Sequence, residues 1–126
     1  SIKELIRPGG RLYESRKAII DAVARSKYLT LTVPRGALYA FVGVDTQRLP
    51  GFDDRRFAMD LLEHKHVLVA PGTSFNVAYN THFRVTNLPE PEVLADVFGR
   101  MEELLDNYAA GDEPVSRPTP LRAVEA

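Results

Sequence analysis

No cysteine occurs in this chain, which excludes disulfides, thiolate metal sites and cysteine nucleophiles and fits a cytoplasmic protein. Net charge is almost absent as well. A formal charge of −1 leaves no electrostatic case for nucleic acid or an anionic membrane as partner. No apolar stretch approaches the roughly 20 residues of a membrane span. No leader is read at Ser1-Ile2-Lys3-Glu4, which opens directly into an amphipathic pattern. The first residue is not Met, as expected of a processed or truncated piece. One absence is local: no acidic residue lies anywhere from Lys65 to Pro89.

What is present suits one ordinary globular domain. The 126 residues are 44 % hydrophobic and 26 % charged, enough for a real core. Apolar spacing predicts three helices. The first covers about Arg11 to Arg25, with Leu12, Arg16, Ile19, Ile20 and Val23 on one face. A second follows Pro50-Gly51, capped by Asp53 or Asp54 and burying Phe57, Ala58, Leu61 and Leu62. The third, from about Pro91 to Ala110, has the cleanest pattern (Val93, Leu94, Val97, Phe98, Met101, Leu104, Leu105, Tyr108), with Gly111 as its C-cap.

Four strands are predicted between them: Tyr28–Val33, Leu38–Val44, His66–Ala70 and Thr81–Thr86. The turn Pro34-Arg35-Gly36-Ala37 makes the first two a hairpin. The order α-β-β-α-β-β-α predicts an α/β (α+β) two-layer sandwich. Its sheet of about four strands, mixed or antiparallel, carries helices on one face. Residues 112–126, rich in proline and without a period, read as a flexible or surface-hugging tail after a domain of residues 1–111.

Arg84 is the residue that demands explanation. It sits in the apolar run His82-Phe83-Arg84-Val85-Thr86, and a guanidinium cannot shed its proton to escape burial. Its strand and approach loop supply no carboxylate. Two readings stand open: an ion pair with a distant acid, or a clamp for a small carboxylate or phosphate. His64, Lys65 and His66 are better read as exposed polar residues at a helix C-terminus than as metal ligands. No metal site is therefore expected. Pro71-Gly72-Thr73-Ser74 lacks the spaced glycines and lysine of a phosphate loop. Ser74 and His82 lack the third member of a catalytic triad, and His82 reads as a surface or structural histidine. No catalytic residue is expected within the chain itself.

Four segments in order carry a resemblance. They are Gly10-Arg11-Leu12-Tyr13-Glu14-Ser15-Arg16, Pro34-Arg35-Gly36-Ala37-Leu38-Tyr39-Ala40-Phe41, Leu61-Leu62 with Val67-Leu68-Val69-Ala70-Pro71-Gly72-Thr73-Ser74-Phe75, and His82-Phe83-Arg84-Val85. Together, over roughly Ile2 to Ala110, they resemble the C-terminal small domain of fold type I, class I/II pyridoxal-phosphate-dependent aminotransferases. Within that family the nearest likeness is to bacterial alanine aminotransferases.

The resemblance implies that Arg84 binds the α-carboxylate of the substrate. It implies too that Gly36, Tyr39, Gly72 and Thr73 line the cleft. The family's Schiff-base lysine lies in a large domain upstream, and Lys3, Lys17, Lys27 and Lys65 stand in no comparable setting. The resemblance thus implies a large cofactor-binding domain in the same polypeptide, amino-acid and 2-oxo-acid substrates, and a homodimeric full-length enzyme. Pyridoxal 5'-phosphate would not be bound covalently to this chain, which alone would be inactive. The other reading of the chain is a stand-alone module that senses a small carboxylate without catalysis.

Overall fold

The computed structural model describes residues 10–32, 38–72 and 81–114, together with the backbone of 124–125. Helix α1 (Arg11–Arg25) buries Leu12, Ser15, Ile19, Ala22 and Val23. The expected stripe was displaced: Ile20 is 44 % exposed, while Ser15 turns inward. A buried hydroxyl needs a partner, and the Ser15 hydroxyl donates to the carbonyl of Pro89 at 2.7 Å. That bond ties α1 to the entrance of α3 (Pro91–Ala110). α3 starts on a proline, whose missing N–H costs nothing in a first turn. It ends at Gly111, in the left-handed region at φ 72, whose N–H bonds the Tyr108 carbonyl.

Helix α2 (Asp54–Asp60) is capped by the Asp53 carboxylate, which accepts from the Arg56 N–H at 2.9 Å. It continues as a π-helical turn over Leu61–Lys65, closed by His66 at φ 57. The wider turn shifts the angular phase of the side chains. Leu61 stays in the core, whereas Leu62, expected inside, is 42 % exposed. Lys65, expected at the surface, is buried instead.

The strands are β1 (Leu29–Thr32), β2 (Tyr39–Val44), β3 (Val67–Leu68), β4 (Ala70–Pro71), β5 (His82–Thr86) and β6 (Val124–Glu125). The single strand expected at His66–Ala70 is two short pieces serving different sheets. β4 joins a four-stranded sheet in the order β1-β2-β5-β4, antiparallel throughout. β3 pairs in parallel with β6, so the chain's far end returns to Val67–Leu68. The β1–β2 pairing is the expected antiparallel one, and its turn, Pro34–Ala37, lies outside the described residues.

One face of the larger sheet meets the helices. Leu29, Ala40, Val42, Val44, Phe83 and Val85 join Ile19, Phe57, Leu61, Leu94, Val97, Met101 and Leu104 in a single buried cluster. The result is the two-layer arrangement of sheet and helices that the element order predicts.

Candidate functional site

Alternation along a strand sends successive side chains to opposite faces. Phe83 and Val85 of β5 go to the core, so His82, Arg84 and Thr86 share the other face. Register then sets the neighbours. Arg84 stands between Phe41 of β2 and Ala70 of β4. In the next row His82 lies opposite Gly43, which in turn faces Thr30 of β1. Tyr39 faces Thr86. Among the described residues this face therefore carries one guanidinium, two aromatic rings, an imidazole and several hydroxyls, flanked by residues with little or no side chain.

The guanidinium of Arg84 lies over the Tyr39 ring, 5.7 Å from its centroid. Tyr39 is steadied by Phe41 in an edge-to-face contact, with centroids 5.6 Å apart at 87°. A cation over an aromatic face gains about 0.5–1 kcal/mol when exposed and more when desolvated. Here it also orients the planar fork, whose Nε is shut away from solvent. Such a fork suits a carboxylate or phosphate, which it can hold through two parallel hydrogen bonds.

His82 is half-buried, and that burial holds its imidazole below the ordinary histidine range, so it is neutral at physiological pH. Its Nδ1 lies 2.9 Å from the Thr81 hydroxyl. Its Nε2 would be 2.7 Å from any Cβ placed on Gly43. The ring occupies the space that a side chain at Gly43 would take.

Of the residues expected to form the site, Arg84 and Tyr39 come together on this face. Gly72 lies at the end of β4, against the His82 carbonyl. Gly36 and Thr73 lie outside the described residues. Sequence reasoning missed His82, Phe41 and Gly43 as neighbours of Arg84. The signals were a histidine two positions before the arginine and a glycine inside a strand, a mark of close approach.

Several other titratable groups lie away from this face. Lys65, expected to be exposed at a helix end, donates to the Glu103 carboxylate at 3.0 Å, and its carbonyl accepts from Arg100 at 2.9 Å. Lys27 pairs with Asp106 at 3.2 Å, and Lys17 is exposed on α1. Among the described residues, no lysine stands beside Arg84. Asp60, Glu63 and His64 bring ligand atoms within 4.8 Å of one another. Asp60, however, already accepts from Tyr108 and pairs with Arg56, partners that a metal would have to displace. A hollow of about 280 Å³ lined by Arg48, Phe52, Arg56, Tyr108 and Gly111 does not include Arg84. No helix among the described residues is long and apolar enough to cross a membrane.

Comparison with known proteins adds a lineage to this geometry. The family model of aminotransferase class I and II matches residues 8–97. The glutamate-pyruvate aminotransferase AlaA of Escherichia coli K12 is 35 % identical over 108 residues, 86 % of this chain and 27 % of that protein. An alanine aminotransferase of Mycobacterium tuberculosis H37Rv is also 35 % identical, across 86 % of this chain and 25 % of its own length. Among solved structures, an aminotransferase from Escherichia coli superposes with a TM-score of 0.80 at 35 % identity, covering 86 % of this chain and 27 % of that one. Alanine aminotransferase from Pyrococcus furiosus gives 0.68 at 30 % identity, covering 77 % of this chain and 24 % of that one. The chain thus spans about a quarter of the length of the curated relatives it matches.

Proposed function

This chain belongs to the class I and II aminotransferases, and we propose on that premise that it is the C-terminal, substrate-carboxylate-binding domain of a pyridoxal-phosphate-dependent enzyme. Arg84 holds the carboxylate shared by an amino acid and its 2-oxo acid, in an alanine-type transamination. The observation that carries this reading is the placement of Arg84 itself. It sits at the centre of the sheet face opposite the helices, oriented by Tyr39. Ala70, its neighbour on β4, presents only a methyl group.

The cofactor's covalent anchor does not fit the residues described. The Schiff-base chemistry of pyridoxal phosphate needs a lysine; Lys65 and Lys27 pair with Glu103 and Asp106, and Lys17 is exposed on α1, a helix packed on the face of the sheet opposite Arg84. We therefore assign the anchor to a large domain of the same polypeptide; that the full-length protein is a homodimer is a separate part of the proposal. What this chain contributes is fixation: holding the carboxylate orients the bonds at the α-carbon toward the reacting group.

The test is Arg84→Ala in the full-length enzyme. The expected outcome is a loss of kcat/KM for both the amino acid and the 2-oxo acid, worth about 2–5 kcal/mol as for a desolvated charge pair. Unchanged constants for both substrates would sink the assignment. Calorimetric titration of the 126-residue chain with alanine, glutamate and pyruvate should show no tight binding. Tight binding of one of them would favour the sensor reading instead.

A further inference from the structure

We infer that His82 is the positioning residue for Arg84, fixing the strand that carries the guanidinium through close fits on both sides. The inference rests on the reading of Arg84 given above and extends it to residues that touch no substrate. On one side, the His82 ring fills the gap over Gly43, where a Cβ would lie 2.7 Å from Nε2 and 2.6 Å from the Thr30 hydroxyl. On the other, Gly72 packs so closely that a Cβ there would lie 2.6 Å from the His82 carbonyl oxygen.

Glycine inside a strand weakens it unless something needs the room. The positive-φ glycines among the described residues are Gly51 and Gly111, so neither Gly43 nor Gly72 is required by backbone conformation. Space is what they provide: over Gly43 the His82 ring shares it with the Thr30 hydroxyl, and at Gly72 the His82 carbonyl takes it.

The segment is held along its length as well. Thr81 meets the ring at Nδ1, 2.9 Å away, and its carbonyl accepts from the Val44 N–H at 2.9 Å. His82 is thus gripped by β2 and β4 one row before Arg84. Two residues along a strand correspond to about 7 Å, so the imidazole acts on the guanidinium from one row back, through the strand that carries both. Misplacing a binding group by about 1 Å can cost on the order of 100-fold in rate, which makes such a lock functionally visible.

The experiment uses the full-length enzyme and two amine substrates in the first half-reaction: alanine, and ethylamine, which lacks the carboxylate. Gly43→Ala crowds the His82 ring and the Thr30 hydroxyl out of their places, while leaving His82 and Arg84 in the sequence. Its rate with alanine should fall about tenfold or more while that with ethylamine stays within about twofold. In an Arg84→Gln background the same substitution should have no further effect, because two changes acting on one contact are not additive. His82→Ala, which empties the slot without a clash, should give the same selective loss and carries the test if Gly43→Ala fails to fold.

Equal losses with both amines, no loss with either, or effects that multiply with Arg84→Gln would each overturn the inference. The two readings separate cleanly. If Arg84→Gln spares alanine, the carboxylate assignment itself fails. If Arg84→Gln weakens alanine and neither Gly43→Ala nor His82→Ala does, only the positioning role of His82 fails.

Discussion

Charge in a strand is legible because it is out of place. Arg84 stands out in the sequence since apolar neighbours surround it and no acid lies within twenty residues before it. The face it shares with His82 follows from alternation alone. Its aromatic support does not, because Tyr39 and Phe41 come from a strand more than forty residues away. Burial at single residues is better specified. Phe57 is fully buried, with ring centroids 5.4 Å from Phe52 and 5.0 Å from Phe83. Phe57→Ala should destabilise the chain by about 3–5 kcal/mol through lost transfer energy and an unfilled cavity. The midpoint of chemical denaturation measures this, and a change well below 1 kcal/mol would mean that the site collapses without cost.

Among the elements, the helices were the most readable. The limits of α1 and α3 coincide with the apolar period and its breakers, Gly10, Pro91 and Gly111. The π turn after α2 was hidden, because nothing in Leu61-Leu62-Glu63-His64-Lys65 distinguishes a wide turn from a normal one. Its consequence is an inward lysine. The Lys65 side chain is 3 % exposed and its partner Glu103 49 %. Removing the carboxylate strands a buried ammonium, whereas replacing the lysine removes the need for a partner. Glu103→Ala should therefore destabilise by about 1–3 kcal/mol, less than a fully buried pair because Glu103 is half solvated. Lys65→Met should cost less, and a larger loss from Lys65→Met than from Glu103→Ala would contradict this account.

Over the whole molecule, a polar clasp joins the start of β1 to the end of α3. The Tyr28 hydroxyl donates to Asp106 at 2.6 Å, and that bond, with burial, pushes its pKa up to about 12 from 10.0. The folded chain thus holds this proton more tightly than the unfolded one. The stability involved is complete below about pH 10 and is lost as pH rises through about 12. Asp106 behaves in the opposite sense. The same hydrogen bond holds it below the ordinary carboxylate range, so its contribution is present above that range and fades on acidification. Tyr28→Phe should flatten the alkaline limb of a stability–pH curve, and an unchanged slope between about pH 10 and 12 would rule the clasp out as its source. Purified with pyridoxal phosphate, the 126-residue chain should show no visible absorbance from a lysine-bound cofactor; a clear band would place the anchor within it.

The sequence by itself determined the helices, the approximate strands and the side of β5 on which Arg84 emerges. These follow from periodicity, caps and breakers, all of them local. Only the tertiary structure decided which strands flank β5. Inserting β5 between β2 and β4 buries Phe83 and Val85 against the helices, and this non-local demand surrounds Arg84 with Phe41 and Ala70. The same demand sets His82 between Gly43 and Gly72, where a Cβ on either would lie within 2.7 Å of it.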